Sequence, residues 1–260
     1  GGADVSGASG VSEPLFDYVL HLADNALVLG HRLSEWCGHG PVLEEELALA
    51  NMALDLIGQS RSLYDYAGQV EGAGRDEDTL AYLRDVAAYR NLLLVEQPNG
   101  DFACTMARQF FYAAFMHPYW RTMAASRDAT LAAIAEKSAK EMAYHLRHTS
   151  EWVIRLGDGT EASHARMQAA IDEFWPYTGE IFEVDDIEAG LIEAGIAAEP
   201  RAIRATWQVT VENVLQAATL TQPANGWMQT GGRMGRHSEH LGHLLADLQY
   251  MQRAYPGAAW

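Results

Sequence analysis

The sequence predicts an all-α protein, a four-helix bundle with additional helices toward its C-terminus. Three observations predict it. Apolar residues recur at spacings of three and four along most of the 260 residues. Four of the periodic stretches exceed twenty residues, and no stretch alternates apolar and polar positions between turns as a half-buried strand would. Long helices joined by short loops pack as antiparallel neighbours, and 48% hydrophobic residues can supply their shared core.

Residues 1–11, opening GGADVSGASG, read as a flexible tail before a single helical domain over residues 12–260. Ser12 offers a cap and Pro14 a first-turn residue for a helix carrying Leu15, Val19, Leu22, Ala26, Leu29 and Leu33, ended by Gly38 and Gly40. Pro41 opens a second helix. Glu44, Glu45 and Glu46 suit its positive end, and Leu49, Met52, Leu56, Leu63 and Tyr66 form its apolar stripe, down to the glycines at 68, 72 and 74.

A third helix over about residues 78–95 acts as a connection and ends in the loop EQPNGD. A fourth spans about 102–125, and a fifth runs from Asp128 to the turn Gly157-Asp158-Gly159. Residues 160–180, 200–221 and 238–254 again carry helical periodicity and pack around the bundle.

A formal charge of -17, from 35 acidic and 18 basic residues, excludes nucleic acid and anionic membrane surfaces as general partners. Cys37 and Cys104 are too few for a disulfide framework, so a reducing compartment, the cytoplasm, is expected. Neither a membrane span nor a secretory leader is expected, since no long apolar run occurs and the N-terminal stretch lacks basic and apolar regions.

The helix pairs over 12–70 and 102–156 resemble a repeat, and each offers inward positions about thirty residues apart. Ferritin-like carboxylate proteins use that arrangement for two metal ions, held by four carboxylates and two histidines, each histidine three residues after a glutamate. The only such spacing here is Glu161 to His164, just after a glycine turn where exposure is expected. In KEMAYHLRHTSEW, Glu141, His145 and His148 share a helix face, but Tyr144 stands three after Glu141. His145 lies about 100° further round and is expected to point elsewhere.

The matching place on the second helix is Asp55-Leu56-Ile57-Gly58, with a shorter acid and no ligand at Gly58. Asp24 is expected to face Asp55, and the fourth helix supplies only Gln109 at that depth. Asp24, Asp55, Gly58, Glu141 and Tyr144 therefore read as a degenerate metal site. No metal, cofactor-binding or catalytic residue is expected in the chain. Glu141, His145 and His148 are expected to be partly exposed or hydrogen-bonded, and the alternative for a buried acidic remnant is neutralisation by an arginine such as Arg61 or Arg147.

His237, His240 and His243 in HSEHLGH drift around a helix and read as a solvated helix start. TGGRMGR reads as a surface loop, with contact to a coenzyme A phosphate as the alternative. Nucleophile motifs are absent, and the seven Trp and eleven Tyr, including WPY at 175–177 and Trp260, suit a core or an interface.

The stretches LGHRLSEWCGHGP, LALANMALDLIGQSR, NLLLVEQPNGDFA, KEMAYHLRHTSEWVIRLGDGT and TGGRMGRHSEHLGHLLADLQYMQR resemble the PaaC family, the non-catalytic subunits of bacterial ring-1,2-phenylacetyl-CoA epoxidases. The similarity runs from about residue 15 to Trp260. It implies a ferritin-like fold in a cytoplasmic multicomponent monooxygenase of phenylacetate catabolism. A sister subunit there holds the di-iron centre and oxidises phenylacetyl-CoA, and a reductase supplies electrons. Two other readings stay open: a ferritin-like oxidase or oxygenase using Asp24, Asp55, Glu141 and a nearby histidine as atypical ligands, and a coenzyme A module built on TGGRMGR.

Overall fold

The computed structural model describes residues 9–259, with side chains from residue 13. The expected tail therefore lies mostly outside the described residues, as does Trp260. Four long helices form the bundle: α1 (Ser9–Ser34), α2 (Leu43–Glu71), α5 (Phe102–Met123) and α6 (Ala129–Gly157). Between α2 and α5 lie the short α3 (Glu77–Tyr82) and α4 (Leu93–Glu96). After α6 come α7 (Glu161–Phe174), α8 (Asp186–Glu193), α9 (Pro200–Ala217) and α10 (Glu239–Ala254). No strand occurs among the described residues.

The helix ends follow local chemistry. The carboxylates of Asp101 and Asp128 accept the backbone N–H groups of Cys104 and Leu131, satisfying donors that the first turns of α5 and α6 leave free. Gly72, at φ 69°, closes α2 by donating to the Gly68 carbonyl. Two expected starts shift. Because α1 begins at Ser9, Ser12 and Pro14 lie inside it, and α2 begins at Leu43 rather than at Pro41.

The third expected helix is broken into α3, a 3-10 turn over Val86–Ala88, and α4. Side chains from elsewhere take its backbone donors: Asp24 accepts from Arg90 N (2.8 Å), Asn25 from Leu92 N (2.8 Å) and Glu180 from Leu93 N (3.0 Å). Helix continuation offers these N–H groups nothing they lack. Helix α8, absent from the sequence reading, is capped by Asp185, which accepts from Glu188 N.

Helices α1 and α2 pack along their lengths, as do α5 and α6, while α2 and α6 touch over a shorter seam. One continuous hydrophobic core joins these pairs to α7, α9 and α10. Trp207 of α9 anchors the outer layer. Its ring lies 6.0 Å from Phe111, 5.8 Å from Trp175 and 5.3 Å from Phe182, and its indole N–H donates to the Phe111 carbonyl. Among the described residues, no helix is long and apolar enough to cross a membrane.

Candidate functional site

Asp24 of α1, expected as one acid of a degenerate metal site, is completely buried and already fully engaged. It accepts from the Tyr64 hydroxyl of α2 (2.5 Å), from Arg90 N (2.8 Å) and from both Nη atoms of Arg84. Arg84, itself 6% exposed, also donates to the Leu80 carbonyl (2.7 Å) and the Ala88 carbonyl (2.9 Å), and its guanidinium lies 4.4 Å from the Tyr89 ring centre. Burial alone would lower the Arg84 pKa, but Asp24 and Tyr64 beside it raise it above its ordinary value.

An arginine does neutralise the acid, but not one of the expected two. Arg61 pairs at the surface with Glu77 (3.2 Å), and Arg147 lies over the Tyr144 ring. Arg84 reaches in because the chain leaves its helical path after α3 and turns that side chain onto α1.

The other acids gather where α2 meets α6. His145, with no exposed surface, points into the bundle, contrary to the sequence reading. Its Nε2 lies 3.0 Å from Asp55 Oδ2, and its Nδ1 3.0 Å from Gln109 Nε2. The Gln109 amide donates to Nδ1, so Nε2 carries the proton and donates to Asp55. Asp55 is thus paired with His145, not with Asp24. Glu141 accepts from Gln59 Nε2 (3.2 Å), and burial, with Asp55 close by, pushes its carboxyl up to about 7 against the pull of Gln59.

One turn along α6, His148 bonds Glu45 (3.1 Å) and stacks on Tyr144. Gly58 faces open space on the side where a Cβ would stand. The Glu161 to His164 spacing leads nowhere, since His164 Nδ1 donates to the Gly157 carbonyl at 2.7 Å.

This donor set does not fit two metal ions. A guanidinium holds Asp24, Gly58 and Tyr144 offer neither a carboxylate nor an imidazole, and both His145 nitrogens are engaged. Among the described residues, no three His, Cys, Asp or Glu side chains converge as a cation-binding group.

A second polar network, missed in the sequence, ties the C-terminal third to α4. Glu96 is wholly buried and accepts from Ser238 N (2.7 Å), Ser238 Oγ (2.9 Å), Asn91 Nδ2 (3.0 Å) and His237 Nδ1 (2.9 Å). His237 also donates through Nε2 to the Tyr89 carbonyl (2.8 Å). Burial opposes its charge, but the Glu96 carboxylate outweighs burial and raises its pKa. His237 is therefore an internal ion-pair partner, not part of a solvated helix start, while His243 is exposed.

The TGGRMGR segment also turns inward. Gly232 N donates to Glu180 (2.8 Å), and Arg233 pairs with Glu188 and with Asp185 (3.4 Å). Burial pushes the Glu180 carboxyl up to about 7 despite its two backbone donors. The segment is thus not simply a surface loop, and the guanidinium that the alternative reading offered to a phosphate is matched by two carboxylates. Buried acids such as Glu96 and Glu180 carry no local signal that separates them from surface ones.

Fold and site together define an all-helical ferritin-like bundle whose interior acids are matched by arginine, tyrosine, amide and imidazole donors. The chain belongs to the Phenylacetic acid catabolic protein family, whose pattern matches residues 5–260. It is similar to a subunit of the 1,2-phenylacetyl-CoA epoxidase of Escherichia coli (strain K12), with 51% identity over 243 residues, 94% of this chain and 98% of that protein.

Proposed function

We propose that this chain is a structural subunit of a phenylacetyl-CoA epoxidase complex in cytoplasmic phenylacetate catabolism. In this reading it pairs with and supports a catalytic subunit that holds the di-iron centre, and it carries no catalytic residue of its own. The observation that carries the reading is the Asp24 to Arg84 pair, which fills with an internal cation a position where a dinuclear site would need a free carboxylate. The extensive similarity to an epoxidase subunit supports the assignment to that complex.

A rigid helical subunit serves such a complex physically. It covers apolar surface of its neighbour and fixes the geometry of the helices that hold the neighbour's metal ligands. Co-expression with the catalytic subunit, separation of the chains and iron determination on each test the reading. Iron should follow the catalytic chain, and Asp55→Asn and Glu141→Gln should leave epoxidation within a factor of two to three. Stoichiometric iron in this chain, lost together with activity in Glu141→Gln, would instead make it an oxygenase with atypical ligands.

A further inference from the structure

Helix α2 carries two apolar stripes. The inner one, with Leu49, Met52, Leu56 and Leu63, is buried against the bundle. The outer one faces solvent: Leu43 is 67% exposed, Leu47 56% and Leu54 66%. With Ala50, Ile57 and Arg61, these residues follow one another at intervals of 4, 3, 4, 3 and 4 along the chain. That is the heptad spacing of a seam that receives another helix. At Gly58, beside it, no neighbour stands within 4 Å of the place a Cβ would take, so a helix backbone can come close.

From this we infer that the outer face of α2 is the docking seam for an amphipathic helix of the catalytic subunit, one bearing apolar residues at heptad spacing and Lys or Arg along its edges. The inference rests on the function proposed above. Charge selects the occupant. The seam is edged by Glu44, Glu46 and Asp65, and its one base, Arg61, is already bonded to Glu77. A second copy would bring together two chains of formal charge -17 with no free base on the seam to offset the acids.

Size sets the extent of the contact. Nineteen helical residues span about 27 Å, and at a width of about 10 Å the seam covers roughly 270 Å². A stable partner buries about 800 Å² on each side. The contact therefore continues across the furrow between α2 and α6, where Asp55 and Glu141 are only half-buried.

Titration calorimetry with the purified catalytic subunit tests the inference, using wild type, Leu47→Glu/Leu54→Glu, the milder Leu47→Gln/Leu54→Gln, and Val209→Glu on α9 as control. Circular dichroism and thermal unfolding establish that each variant keeps its fold. The Glu pair should weaken binding at least 100-fold and the Gln pair about tenfold, with the control unchanged. Glu44→Lys should also weaken binding and lessen its salt dependence. If wild type fails to bind, the subunit role itself fails. If wild type binds and both leucine pairs bind within threefold of it, the role stands and the seam is overturned. A dimer of the isolated chain that the leucine variants dissociate would make the occupant a second copy and overturn the choice of partner.

Discussion

Replacing Arg84 with Met tests the internal cation most directly. The substitution keeps the bulk of the side chain's stem and removes four hydrogen bonds: two to Asp24, one to the Leu80 carbonyl and one to the Ala88 carbonyl. Asp24 would keep only Tyr64 and Arg90 N as donors, in a site with no solvent access. Removing one partner of a buried pair costs about 3–5 kcal/mol, because the remaining charge stays buried without compensation. At about 2–4 °C per kcal/mol for a chain of this size, the melting temperature should fall by roughly 10–15 °C. Scanning calorimetry and urea unfolding of the isolated chain give the number. Asp24→Asn/Arg84→Met should recover about 2 kcal/mol of the loss, since the amide removes the stranded charge, its oxygen can still accept from Arg90 N, and its NH2 can donate to the Tyr64 hydroxyl oxygen. A drop below about 3 °C in the single variant, or a double variant no more stable than the single, would refute the claim that Asp24 is ionised and held by Arg84.

Four further outcomes follow from the same physics. Glu180 has a folded pKa of about 7 against an ordinary 4.5, so the native state holds its proton longer than the unfolded state, and stability falls as pH rises between those values. His237 has a raised pKa, so its contribution is complete below pH 6.5 and is lost as pH climbs through its higher folded value. His21, His31 and His145, with lowered values, act in the opposite direction below pH 6.5, so the measurement is the difference between variant and wild type. Glu180→Gln should flatten the wild-type slope between pH 5 and 7, and His237→Gln should flatten it at higher pH. Gly232→Ala should cost about 2 kcal/mol or more in urea unfolding, because its Cβ would sit 2.2 Å from the Asn91 carbonyl oxygen at the junction that Glu180 holds. Glu96→Gln should lower the melting temperature by roughly 5–10 °C, since an amide cannot replace an ionised acceptor of four donors that include imidazolium His237.

Most of the bundle was legible because α2 and α6 each bury one stripe, which writes a 3.6-residue period into the sequence, while α1 and α5 are long, largely apolar segments buried on nearly all sides. The segment after α3 has the apolar content of a helix, yet its N–H groups go to Asp24, Asn25 and Glu180, residues distant in sequence. Helix α8 has only eight residues, and Gly190 interrupts its pattern. That Gly58 and Tyr144 offer no imidazole could be read from the sequence itself. The direction of His145 could not, because the buried stripe of α6 lies between two neighbours, α2 and α5. A net rotation of about 40° from Glu141, which meets α2, carries His145 to a place where it touches both Asp55 of α2 and Gln109 of α5.

The two polar networks divide the work of holding the molecule together. Asp24 and Arg84 join α1, α2 and the segment after α3, whereas Glu96, His237, Glu180 and Gly232 clamp the C-terminal third onto α4. Both anchor irregular backbone that packing alone would leave without partners. The junction of α2 and α6 differs: its acids remain half-buried, and Glu141 sits near neutrality. It adjoins the exposed leucines of α2. A partner helix laid on that face would remove water from the Glu141 carboxyl, whose pKa burial already raises. Complex formation should then take up protons near pH 7, which calorimetry in buffers of different ionisation enthalpy would detect as a buffer-dependent heat. Equal heats in all buffers would place the contact elsewhere.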